Sequence, residues 1–360
     1  MHLRTVTIPI ILLTLAIQCE AQILDDFIPF RQGDKWGFCN QKKDFIIPPQ
    51  YEMIDAFSDT IMGVKQDGKW GFIGKSGTLI IPCMYDKIAA FDEGIAAVYT
   101  AGEWGIINLE NKLMGHRYEH IYHQSGNLME ENLIPVKMRG KWGFINRHGK
   151  EVVPCNYQMV HPFSEGLAAV KMEQKWGYID KKGYTVIQHQ FDFSGDFSED
   201  VARVELKGKW GYVDPEGSWI IEPRFENAGD FSQGLAAVAR KNRWGYIDKS
   251  GKWAIRPVYT EAQDFSEHIA CTRTRRNKIR MIDLNGEIMF EGVFSEAGSY
   301  HNGLAAARFN GYWGFLNKHG RFVINCIYER VQDFENGYAK VVKHGRRGLL
   351  DTEGRQFWED

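Results

Sequence analysis

Five cations fall within eight residues at Arg273, Arg275, Arg276, Lys278 and Arg280. At that density they could grip a carboxylate, a phosphate or a sulfated glycan. The plainer reading is a solvated hairpin tip balanced by nearby acids. If the two strands pair, Arg273 and Arg275 share a face on one, and Lys278 and Arg280 share a face on the next. Cations would then stand about 5 Å apart across the strands. Like charges so placed call for an anionic partner, inside the protein or outside it. A second group is His116, His120 and His123 beside Glu119. Imidazoles can hold a metal. In a strand, however, residues i and i+4 share a face and i+7 does not. The three meet only in a loop, and a solvated loop is the preferred reading.

Glu93, Glu165 and Glu199 recur in a Phe-Ser/Asp-Glu motif. Being repeated, they read as turn or capping residues. No isolated carboxylate pair stands out as a glycosidase dyad. No Gly-x-Ser-x-Gly elbow, P-loop or dinucleotide fingerprint occurs. The expectation is a chain that is not an enzyme, with no catalytic residues, metal or cofactor.

The elements that position these residues are short strands. The chain has 360 residues, 37 of them Gly and 11 Trp. Many glycines and aromatics point to strands joined by tight turns. A net charge of −2 argues against a protein-wide grip on nucleic acid. At the N-terminus, Ile8 to Ile17 is apolar apart from Pro9 and Thr14, and Cys19-Glu20-Ala21 follows. That pattern reads as a secretory signal over residues 1–21, with Gln22 first in the mature chain. The apolar run is too short to span a bilayer, which needs about 20 residues. Gln18 stands where a lipid-attachment signal carries a small residue, which argues against lipidation at Cys19. The protein is therefore expected to be exported: periplasmic, on the cell surface or secreted. Cys39, Cys83, Cys155, Cys271 and Cys326 are odd in number and widely spaced, so they make no disulfide framework. Three of them share one slot of a repeat and read as small buried apolar residues.

That repeat dominates residues 22–360. Trp36-Gly37, Trp70-Gly71, Trp104-Gly105, Trp142-Gly143, Trp176-Gly177, Trp210-Gly211, Trp244-Gly245 and Trp313-Gly314 follow one another at intervals of 34, 34, 38, 34, 34, 34 and 69. The longest interval hides an eighth, degenerate copy in which Ile279-Arg280 replaces Trp-Gly. A degenerate tenth copy surrounds Arg347-Gly348. The 38-residue interval puts four extra residues into unit three, between His116 and Glu131. Each unit reads as three strands: Leu-Ala-Ala-Val, then Trp-Gly-Tyr-Ile-Asp, then a β-rich run reaching Pro. Between the first two stand pairs such as Asp67-Gly68, Arg139-Gly140 and Lys207-Gly208, which suit two-residue turns with positive φ. Asn242 and Asn277 supply the left-handed residue elsewhere, and Glu173-Gln174 suggests a strained or wider turn. Asp/Asn-x-x-Gly joins the second and third strands, as in Asp180 to Gly183. Pro48, Pro82, Pro154, Pro223 and Pro257 close the third strand or mark an edge. A connector such as Tyr85-Asp-Lys-Ile88 then leads to the next unit.

The pattern Gly-Lys-Trp-Gly-Phe/Tyr-Ile-Asp/Asn-x-x-Gly, then Ile/Val-Pro and Phe-Ser-Glu-Gly-Leu-Ala-Ala-Val, resembles the bacterial WG-repeat family, also called KWG repeats. The likeness spans roughly residues 23 to 360 and is strongest in units two and four to seven. It implies an exported or surface-associated repeat protein with a binding role and no defined activity. The expected architecture is all-β: an open twisted solenoid of about ten three-stranded units, with a closed β-propeller as the alternative. Because the Trp recurs in nearly every unit, it reads as an aromatic spine between units rather than a row of sugar platforms. The expected function is a non-catalytic binding or scaffolding surface for a protein or envelope partner. The alternative is a carbohydrate- or cell-wall-binding module using exposed aromatics.

Overall fold

The structure, a computed structural model, describes residues 27–57, 61–123 and 128–360. The proposed signal peptide and part of the unit-three insertion lie outside the described residues.

Unit five shows how the sequence makes a blade. Leu167–Met172 and Lys175–Asp180 pair as an antiparallel hairpin, with Met172 opposite Lys175. The turn is Glu173-Gln174, with φ of 47° and 67°. It is thus the same two-residue turn as elsewhere, neither wider nor exceptional. Asp180 Oδ1 then accepts the N–H groups of Lys182 and Tyr184 at 2.9 Å. This Asx turn launches Thr185–Phe191. A fourth, two-residue strand, Met159–Val160, pairs with Leu167–Met172 from its other side. It comes from the connector, so this blade has four strands rather than three.

The second strand reads Leu-Ala-Ala-Val, apolar throughout, because its sheet is covered on both faces. Ala168 and Val170 pack with Phe144, Val153 and Phe163 toward blade four. Leu167 and Ala169 pack with Phe197, Ala202 and Val204 of blade six. The core is therefore a chain of interblade layers. The outermost strands keep large apolar residues at the surface, including Leu79, Met84 and Ile220. The prolines lie inside these edge strands rather than ending them: Pro82 sits within Leu79–Tyr85.

At the inner ends the blades are laced together. Ser164, Ser198, Ser232 and Ser266 each donate from Oγ to the carbonyl of the residue equivalent to Phe197 in the next blade, at 2.6–2.9 Å. Glu165 accepts the N–H groups of Glu199 and Asp200, and Glu199 accepts that of Gly234. Glu93 instead meets Arg147 at 3.4 Å.

Ten sheets form in this way, nine of four strands and one of three, with no helix among the described residues. The last meets the first. Trp358–Glu359 runs parallel to Ile28–Gln32, with Arg31 opposite Trp358. It takes the place that an antiparallel connector strand holds in blades two to ten. Leu349 and Phe357 pack with Ile28, Phe30 and Cys39 across this seam. Lys340 of blade ten meets Asp55 of blade two at 2.9 Å. The array is thus a closed ten-bladed propeller and not an open solenoid. The strand supplied by each connector and the terminal pairing together remove the two free ends that a solenoid would have to cap.

Candidate functional site

The Trp-Gly pairs lie at the interblade layers. Trp104 and Trp176 are buried, and Trp36, Trp70, Trp142, Trp210, Trp244 and Trp313 are half-buried against the cores. The Gly that follows Trp faces the outermost strand, which bulges over it. Trp176 pairs with Phe191, yet Tyr178 pairs with Ile187, so extra residues of the outer strand press on Gly177. A Cβ there would lie 2.5 Å from the Ile187 carbonyl oxygen.

Unit eight departs from this pattern, and its geometry follows from the departure. Arg280 stands where Gly stands elsewhere and has a Cβ to accommodate. The outer strand Ile288–Gly292 accordingly runs without the bulge at that point, pairing Ile279 with Gly292, Arg280 with Glu291 and Met281 with Phe290. Its hairpin also differs from the two-residue turn expected from Asn277. Arg273 faces Ile279, and residues 274–278 form a five-residue loop closed by the Thr274 N–H on the Lys278 carbonyl. Asn277 holds the left-handed position, φ 58°.

The longer loop separates the cations, so the expected cross-strand stack of like charges does not form. Arg273 pairs with Glu261 at 2.7 Å. Lys278 and Arg280 share Glu291, at 2.5 and 2.7 Å. Arg275 and Arg276 are exposed on the loop, with no partner among the described residues. A cleft of about 290 Å³ opens between them and the end of the blade-seven outer strand, at Val258 and Tyr259. A second, of about 230 Å³, lies on the other side of the same loop, beside Glu291, Val293 and Phe294.

The histidines of unit three separate. His120 lies against Trp142 with ring centres 5.7 Å apart, and His123 against Trp104 at 5.2 Å. Glu119 accepts the Gly140 N–H, and His116 is exposed. Among the described residues no group of His, Cys, Asp and Glu is arranged to hold a metal. The five cysteines outside the proposed signal are free. Cys83, Cys155 and Cys326 are half-buried, not fully buried, and each points Sγ at a carbonyl of its own blade at 3.7–3.8 Å. Burial pushes the Cys155 thiol up to about 11 and that of Cys271 to about 12. Neither is poised as a nucleophile near neutral pH.

One feature of the inner wall escaped the sequence reading. Asp196, Asp230 and Asp264 belong to Asp-Phe-Ser steps repeated every 34 residues. Successive blades bring them side by side. Asp196 meets His161 at 2.7 Å and Asp230 meets Arg203 at 2.9 Å. Asp264 lies over Gly229, where a Cβ would come within 2.3 Å of its Oδ1. Asp264 itself reaches solvent, but crowding by the surrounding wall desolvates it, and this, then the neighbouring Asp230 charge, raises it from 3.8 to about 6. The repeated Asp-Phe-Ser was visible, but its convergence depends on the blades closing around an axis.

Comparison with known proteins bears on the fold and the family. No curated protein matches the sequence. A solved structure described as a eukaryotic initiation factor superposes with a TM-score of 0.54 at 10% identity, covering 82% of this chain and 94% of that one. BamB from Moraxella catarrhalis gives a TM-score of 0.42 at 10% identity, covering 82% and 99%. The first of these likenesses, at 10% identity, speaks to fold alone. The family model described as "WG containing repeat" matches residues 36–70, 70–104, 142–176, 176–210, 210–243, 244–274, 280–313 and 313–346. On those eight matches, spread along most of its length, the chain belongs to the WG-repeat family.

Proposed function

We propose that this ring is an exported, non-catalytic binding or scaffolding protein that presents its turn-built faces to a protein or envelope partner. The observation that carries the reading is the placement of the Trp residues. All eight Trp of the Trp-Gly pairs sit in the layers between blades, where they hold the ring together. The signature of the repeat thus serves architecture, and recognition falls to the loops that vary from blade to blade. Export rests on the apolar run from Ile8 to Ile17 and the Cys19-Glu20-Ala21 junction.

The test is a pull-down from the envelope fraction with residues 22–360 as bait, repeated with the captured protein as bait. A protein retained in both directions supports the reading. Retention on immobilised cell-wall glycan, with no protein captured, would favour the carbohydrate-binding alternative. Amino-terminal sequencing of the protein recovered from the envelope should begin at or near Gln22. A chain still carrying Met1 would remove the case for a cleaved signal.

A further inference from the structure

We propose that the groove between blades seven and eight receives an acidic, extended segment of a partner protein, whose carboxylates meet Arg275 and Arg276. The proposal rests on the binding role proposed above and names a site and a partner chemistry for it.

Charge is the first observation. Arg273, Lys278 and Arg280 have carboxylate partners in Glu261 and Glu291. Arg275 and Arg276 have none among the described residues, and both are exposed. The five cations against these two carboxylates leave an excess of three positive charges around one hairpin, in a chain whose net charge is −2. A local excess of this kind attracts anionic partners and orients them.

Shape is the second. The loop stands between two clefts that share Lys278, and each carries an exposed valine, Val258 at 57% and Val293 at 84%. An extended peptide with acidic and apolar residues in alternation matches that order of features, since neighbouring side chains point to opposite sides. A sugar ring fits less well. Tyr259 is buried, and Phe294 is half-buried edge-on to Phe322 with ring centres 5.7 Å apart. Neither aromatic in the clefts presents an open face for stacking.

The site also has a structural origin. In the blades with Trp-Gly, the outer strand bulges opposite that pair, as at Trp176 and Trp244. Ile279 and Arg280 remove the pair and the bulge at once, and the loop is one residue longer than a register set by a two-residue turn would need.

The experiment measures fluorescence anisotropy of a labelled peptide of about eight alternating Glu and Val residues, about 26 Å when extended, titrated with residues 22–360. The expected result is saturable binding that weakens with salt. Arg275→Ser with Arg276→Ser should weaken it about tenfold, as two exposed charge contacts allow. Val258→Ser should weaken the Glu-Val peptide more than an all-Glu peptide of equal length. Unchanged affinity in the double arginine variant would overturn the proposal. So would tighter binding of a heparin-derived oligosaccharide than of the peptide, which would assign the groove to anionic glycans. If the double variant captures the protein partner from the pull-down as well as the native ring does, this site falls and the binding role stands. If the native ring captures nothing, the binding role falls, and this proposal with it.

Discussion

Arg31 in the first blade donates from Nε to the main-chain carbonyl of Arg347 in the last, 2.7 Å away. The same guanidinium meets Asp360 at 2.9 Å. Its side chain is almost wholly buried, so the two ends of the chain are joined by a shielded, charge-assisted contact. Beside it Trp358 is buried and packs over Gly348, where a Cβ would come within 2.4 Å of the indole.

Trp358→Ala should therefore act on the whole ring. Truncating a buried Trp costs about 3–5 kcal/mol, and here the loss falls on the one seam that closes ten blades. The expected outcome is a clear fall in the urea midpoint, with earlier proteolysis near both termini. An unchanged midpoint would mean that the ring does not depend on this closure.

Gly177 offers a sharper test of the repeat itself. The bulged outer strand sits so close that a methyl group would meet the Ile187 carbonyl oxygen at 2.5 Å. Gly177→Ala should destabilise by about 1–3 kcal/mol, the usual cost of overpacking. Arg280→Ala is at the equivalent position of blade eight, where the bulge is absent. It should cost less, because it removes only an ion pair to Glu291 that it shares with Lys278. Equal losses at the two positions would sever the link between the Gly and the bulge.

What could be read from the sequence was what local chemistry decides. Asp180 to Gly183 specify their turn without help from other blades, as do the positive-φ pairs such as Lys207-Gly208. The Trp-Gly interval fixes the number of blades for the same reason. Closure was not readable in this way. It depends on the small rotation from one blade to the next, summed ten times, and on residues 358–359 finding Ile28–Gln32. A fourth strand from the connector was legible only as what closure into blades would require, because two residues of a connector carry no periodic signal. In the basic loop, the five cations were evident. Their compensation by Glu261 and Glu291 required the registers of two flanking strand pairs, Glu261 opposite Arg273 and Glu291 opposite Arg280.

The inner-wall carboxylates lead to a pH prediction. Asp264, though exposed, is raised from its ordinary 3.8 to about 6, first by desolvation in the crowded wall and then by the neighbouring Asp230 charge, with Arg203 opposing. A pKa higher in the folded state than in the unfolded state means that the fold favours the protonated acid. The associated stabilisation is fully present below about pH 4. It is lost as the pH rises through about 6, because the ring must then carry a partly desolvated carboxylate charge, beside that of Asp230. Asp264→Asn keeps the shape and removes the charge. The variant should melt at a higher temperature than the native ring at pH 7, and at the same temperature at pH 4. Asp230→Asn differs, because it also takes the partner from Arg203, which Asp230 meets at 2.9 Å. It should give a smaller gain or a loss. Thermal scans of the native ring and both variants across this range decide the matter. A gain from Asp264→Asn that is the same at pH 4 and pH 7 would show that ionisation of Asp264 is not its source.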